Sequence, residues 1–194
     1  MAPMALTAAA HLPVGPGWSY ELKWDGYRGV ATVAGDRLDL RSRNGNALLP
    51  RFPELAALAA HVGRDAVLDG EVVVLGADGL ADFGALRRPG ARRTFVAFDL
   101  LELDGVDLSA RPLRDRRELL AGVIVDALPL VLRSRPFDDG AKLLAFAERH
   151  GIEGVVAKRE GSVYRWAERS RDWVKVKTAA GRATMARRQE TWGH

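Results

Sequence analysis

The sequence predicts an α+β fold in which antiparallel sheets are flanked by helices. Three observations predict it. Strand-like runs outnumber helical ones. Neighbouring runs are joined by short Gly-containing turns, as hairpins require. Strand and helix signals also fail to alternate in the regular βαβ units that a doubly wound parallel sheet needs.

Each element follows from its residues. Residues 1–16 carry Pro3, Pro13 and Pro16 and read as an irregular lead-in to one domain over 17–178. WSYEL (18–22) is a strand ahead of KWDG. YRGVATV (27–33) and RLDLRS (37–42) flank the turn AGD as a hairpin. In RFPELAALAAHV, Leu55, Leu58, Ala59 and Val62 recur at helical spacing. AVLDGEVVVL (66–75) and RTFVAFDLLEL (93–103) are strands, the second closed by the turn pair Asp104-Gly105. Helices are predicted over 113–121 and 139–150, the latter capped by Asp138 and stopped by Gly151. LPLVLRSRPF, between them, reads as a strand, as do GIEGVVAKRE and DWVKVKT near the end. A polar, basic tail over 179–194 follows.

Composition narrows the function classes. The 194 residues suffice for one sizeable domain, and 47% hydrophobic with 28% charged residues fits a folded globule, not a disordered tail. No run of 18 apolar residues indicates a membrane span. MAPMALTAAAHLP lacks the basic start and long apolar core of a secretory signal. Cysteine is absent, which excludes disulfides and thiolate metal sites and suits a reducing cytoplasm. A net charge of +4 either attracts a polyanion or reflects an arginine-rich composition.

Several groups of residues are chemically suggestive. Lys23 stands at a strand end just before Asp25-Gly26, at the lip of a sheet. It is an exposed lysine or a nucleophile; a nucleophilic lysine needs neighbouring cations or desolvation to free its amine. In WVKVK, Lys175 and Lys177 share one strand face, which suits a phosphate or simply a solvated surface. Glu153 can hold Mg²⁺. Glu153 and Lys158 are an odd number of residues apart, so a regular strand puts them on opposite faces unless a bulge intervenes. Glu71 aims inward or belongs to a turn. Phe98 stacks on a base or packs in the core, and Arg43 meets a phosphate or decorates a basic turn.

In their fixed order, KWDGYR, SRNG, LDGE, FVAFDLL, EGVVAKR and WVKVK closely resemble the covalent nucleotidyltransferase superfamily of ATP-dependent DNA ligases, RNA ligases and mRNA capping enzymes. YELKWDGYR, RSRNG, EGVVAKR and SRDWVKVK are most similar to bacterial ATP-dependent DNA ligases, including the ligase module of end-joining ligase D. The resemblance covers about residues 12–178 and implies the ATP-grasp-like adenylation fold. Lys23 would be the nucleophile that forms lysyl-AMP. Glu21 would lie beside the adenine edge, Phe98 would stack on the ring and Glu71 would hold the ribose. Arg28 would contact ribose and phosphate, and Arg43 the 5′-phosphate of the nick. Lys158, Lys175 and Lys177 would surround the α-phosphate, with Glu153 and Asp25 supporting Mg²⁺ or Mn²⁺. The same cations would depress the Lys23 pKa.

The resemblance also implies ATP as AMP donor, nicked double-stranded DNA as substrate and a bacterial, nucleoid-associated cytoplasmic setting without a membrane. Competing readings are an RNA ligase or capping-type enzyme, or a non-catalytic nucleotide- or nick-binding module. Family members normally continue into an OB-fold domain. Only Thr178 to His194 follow the last motif, too few residues for such a barrel, so a separate OB-fold or an end-joining or repair partner is expected, and self-adenylation is expected to be slow.

Overall fold

A computed structural model describes residues 1–125, 127 and 129–184. In chain order the first elements are β1 (Ala5–Ala8), β2 (Trp18–Leu22), β3 (Tyr27–Ala34), β4 (Arg37–Ser42), β5 (Ala66–Val74), β6 (Arg93–Leu103) and β7 (Val106–Asp107). Helix α1 (Leu113–Val123), β8 (Val131–Arg133), α2 (Gly140–Arg149), β9 (Gly154–Arg159) and β10 (Arg169–Lys177) follow. The chain forms two compact units. One comprises Met1–Met4, Asp25–Arg135 and Gly161–Glu168; the other comprises Ala5–Trp24, Pro136–Glu160 and, among the described residues, 169–184. This division cuts across the 17–178 segment read as one domain from sequence.

In the first unit the sheet runs β4-β3-β5-β6-β7, with β8 alongside β6. The neighbours along the main path are antiparallel; β8 is parallel to β6. The β3–β4 hairpin turns at Gly35, and the β6–β7 turn holds Asp104 and Gly105 at φ 47° and 78°, the mirror-image geometry that Asp-Gly favours. Alternation on β3 buries Ala31 and Val33, which join Leu40, Leu68, Val72, Phe95 and Leu100 in the core. The segment with helical spacing is a 3-10 helix, Pro53–His61, not an α-helix. Its buried Leu55 and Leu58 are three apart, and such residues eclipse on a 3-10 turn. Helix α1 is anchored by fully buried Arg116, which donates from Nε and Nη2 to the two Asp99 oxygens at 2.8 and 2.6 Å.

The second unit has the sheet β1-β10-β9-β2. Residues 1–16 are therefore not wholly irregular: Ala5–Ala8 pairs parallel to β10. The strand expected between the helices is short, only Val131–Arg133, and β10 starts ahead of the predicted DWVKVKT. Along β2, β9 and β10 one face carries Tyr20, Leu22, Val155, Ala157 and Val174, covered by Leu143 and Ala147 of α2. Asp139, not Asp138, caps this helix by accepting from the Lys142 N–H at 2.9 Å, and Gly151 ends it at φ 64°. The other sheet face carries Ser19, Glu21, Val156, Lys158, Trp173, Lys175 and Lys177.

Residues 179–184, read from sequence as the start of a polar tail, are helical. Thr178 is buried; its N–H donates to the Glu153 carbonyl at 3.2 Å, and its hydroxyl accepts from the Gly181 N–H at 3.0 Å. A β-carbon on Gly181 would lie 2.0 Å from that same Glu153 carbonyl oxygen. The rest of the expected tail, 185–194, lies outside the described residues. Among the described residues no helix is long and apolar enough to cross a membrane.

Candidate active site

In the second unit, three strand ends build a charged cluster. Lys23 follows β2 directly, and its N–H donates to the Gly154 carbonyl at 2.9 Å. Gly154 opens β9 opposite Lys177, the last residue of β10. A β-carbon on Gly154 would come within 2.2 Å of the Val176 carbonyl oxygen, so a side chain there would push the strands apart. Glu153 receives both lysines: Lys23 Nζ pairs with Oε2 and Lys177 Nζ with Oε1, the latter at 3.0 Å. Burial alone would raise the Glu153 pKa. The charges and hydrogen bonds of Lys23 and Lys177 outweigh it and hold the group below its ordinary 4.5. Lys175 shares the Lys177 face. Its pKa is lowered, first by burial and then by repulsion from Lys23 and Lys177.

The odd spacing of Glu153 and Lys158 is resolved without a bulge. The β9 register is regular against both neighbours. Glu153 precedes the strand, so alternation does not govern it. Lys158 lies on the Glu21 face. Its Nζ is 3.0 Å from Glu21 Oε1 and 3.1 Å from Oε2. It sits 4.2 Å from the centre of the buried Trp173 ring. Both side chains of the pair are buried.

The first unit gathers a second group. Arg28 donates from Nε and Nη2 to the two oxygens of buried Asp69, each at 2.6 Å, and lies 4.7 Å from the Phe98 ring centre. Tyr164 donates to Asp69 Oδ2 at 2.7 Å and accepts from the Met4 N–H at 2.9 Å. Burial acts to lower the Arg28 pKa, but the Asp69 carboxylate reverses this and raises it. The Tyr164 hydroxyl is pushed up, by burial first and by the Asp69 charge next. Glu71 is the cross-strand partner of Arg28. Its neighbour Gly70 sits where the ladder to β6 slips, and a β-carbon there would meet the Phe95 ring at 2.4 Å. Phe98 is buried, and Arg43 is exposed beyond β4 with its N–H on the Arg28 carbonyl at 3.1 Å.

The structure thus joins Lys23, Glu153 and Lys177 directly, with Lys175 on the same face, and joins Glu21 to Lys158. Arg28, Glu71 and Phe98 belong to the other unit. So does Asp25, which is half-buried. Among the described residues no three acidic or histidine side chains converge as a metal group. Sequence reasoning missed the roles of Asp69, Tyr164 and Trp173. Period-two counting back from Lys175 reaches Trp173. Nothing local marks Tyr164, which is distant in sequence from Asp69.

Residues 7–177 match the family model for the ATP dependent DNA ligase domain. The chain is 40% identical over 163 residues to the multifunctional non-homologous end joining DNA repair protein LigD of Mycobacterium tuberculosis, covering 82% of this chain and 21% of that protein. It is 39% identical over 168 residues to the LigD of Pseudomonas aeruginosa, covering 82% and 20%. The chain therefore spans about a fifth of the length of these curated relatives. The crystal structure of the ligase domain from M. tuberculosis LigD superposes with a TM-score of 0.77 at 36% identity, covering 90% of this chain and 59% of that one. A mycobacterial DNA ligase D complexed with ATP and MES gives the same TM-score and identity, covering 90% and 60%. With motifs, sheet topology and family model in agreement, the chain belongs to the ATP dependent DNA ligase domain family.

Proposed function

We propose that this chain takes AMP from ATP onto Lys23 and passes it to the 5′-phosphate at a nick in double-stranded DNA, before a 3′-hydroxyl seals the strand. The observation that carries the reading is the cluster of Lys23, Lys177 and Glu153, flanked by Lys175. Transfer of a phosphoryl group depends mainly on positioning and on charge neutralisation around phosphorus. Lys23 and Lys177 at the ends of paired strands, with Lys175 two residues inside β10, supply that positive field, and Lys23 supplies the nucleophile. Lys23 Nζ forms a P–N bond as the P–O bond to pyrophosphate breaks; pyrophosphate leaves with the electron pair of that bond, and the amine proton passes to solvent, to which the Lys23 side chain is 18% exposed.

The remaining assignments follow from the same reading. Glu21 borders the adenine, Phe98 stacks on it, and Glu71 and Arg28 hold the ribose and its phosphate. Arg43, exposed beyond β4, meets the 5′-phosphate without a burial cost. Glu153, held as a carboxylate, fits a hard divalent cation, which takes one or two protein carboxylates besides phosphate oxygens. It would hold Mg²⁺ or Mn²⁺, which when bound neutralises phosphate charge. The setting is the bacterial cytoplasm at the nucleoid, and the partner is nicked double-stranded DNA.

The test is intact-mass spectrometry after incubation with ATP and Mg²⁺. The wild type gains one AMP and Lys23→Ala gains none. A wild type that stays unmodified under forcing conditions removes the proposal. Substituting GTP, and then nicked RNA for nicked DNA, separates it from capping-type and RNA-joining enzymes.

A further inference from the structure

We propose that Lys158 is the positioning residue that sets nucleobase choice: its ammonium fixes the Glu21 carboxylate as an acceptor-only group that takes adenine and rejects guanine. This rests on the reading above, in which an adenine nucleotide borders Glu21.

Three observations separate this role from phosphate binding. The first is burial. Lys158 has a side-chain exposure of 3%, whereas Lys23 and Lys177, the lysines paired with Glu153, are each at 18%. The second is geometry: Lys158 Nζ is nearly equidistant from the two Glu21 oxygens, at 3.0 and 3.1 Å, so it holds both oxygens and the direction in which the carboxylate points. The third is support from the sheet. Ser19, Lys158 and Trp173 stand opposite one another on adjacent strands, and the Trp173 ring lies 4.2 Å from Nζ. The Ser19 hydroxyl adds a contact to the Lys158 carbonyl at 3.4 Å.

The chemistry follows from donor and acceptor counting. An ionised carboxylate offers about four lone-pair sites and no proton, so one ammonium leaves acceptor capacity over. Adenine presents an amino donor at its 6-position, whereas guanine presents a carbonyl acceptor there. Guanine would set its carbonyl oxygen against the buried carboxylate in place of an amino donor, a repulsive and costly contact. Without Lys158 the buried carboxylate would turn away or take up a proton, and its acceptor-only character would be lost.

The experiment measures the rate of nucleotide adduct formation on the full chain, with ATP and with GTP in the presence of Mg²⁺. It compares wild type, Lys158→Met, Lys158→Arg and Glu21→Gln, with near-ultraviolet circular dichroism reporting folding. The expected result is a fall in the ATP-over-GTP preference of roughly tenfold or more in Lys158→Met and Glu21→Gln. Lys158→Arg keeps the preference. Equal slowing of both nucleotides in Lys158→Met, with the preference intact, overturns the proposal, because a lysine on the phosphate behaves that way. Should Lys158→Met not fold, an unchanged preference in Glu21→Gln overturns it instead. A wild type without any adduct defeats the parent reading, which is a separate outcome.

Discussion

Arg116 stands in the first turn of α1 with its guanidinium wholly out of solvent. Asp99 on β6 accepts from its Nε and Nη2, and the carbonyls of Arg111 and Ser162 accept from its Nη1. Truncating one partner strands a buried charge, whereas removing both removes the desolvation problem as well. We therefore expect Arg116→Met and Asp99→Leu each to cost about 3–5 kcal/mol in urea unfolding. The double variant should cost less than either single one; strict additivity in that cycle would contradict the account. Arg28 and Asp69 form a similar fork, and there Phe98 and Tyr164 add contacts to the guanidinium and the carboxylate.

At the level of elements, α2 depends on its first turn. Asp139 accepts from the Lys142 N–H, and that hydrogen bond is the main cause holding its pKa below the ordinary 3.8. A carboxyl whose folded pKa is lowered contributes stability above its unfolded value and loses it as pH falls through the folded one. Asp139→Ala should thus lower Tm at neutral pH, Asp139→Asn should nearly preserve it, and the deficit of the alanine variant should shrink as pH falls below 3.8. A deficit independent of pH would point away from the cap. The cap also shows how far sequence reaches. Helix, strands and Gly151 stop were readable from periodicity and turn residues, but two adjacent aspartates left the cap one residue out. The Pro53–His61 segment was readable as helical in burial and not in pitch, because Leu55 and Leu58 suit either geometry. The strand Ala5–Ala8 was hidden among prolines, since only its pairing with β10 defines it.

Across the molecule, both units are discontinuous in sequence, and the boundary falls inside KWDG, between Trp24 and Asp25. The motif order identified the family, yet no shift in composition marked the division, because the chain enters each unit more than once. The site's lysines were legible through strand alternation. The Asp69–Tyr164 contact was not, because it joins distant segments. A net charge of +4 has its own consequence for the proposed DNA substrate. Binding to nicked duplex should weaken linearly in log–log terms as salt rises, with a slope of about −0.9 per phosphate neutralised. Affinity indifferent to salt in a filter-binding titration would exclude backbone recognition as the main source of attraction.

The residues after the last motif strand carry a practical lesson. Thr178 and Gly181 press on the peptide of Glu153 from beyond Lys177. A fragment trimmed at that lysine would retain every recognisable signature and yet lose the brace behind its acidic residue. Drawing a domain boundary by motif alone would therefore yield a truncation that looks complete on paper and holds its key carboxylate loosely.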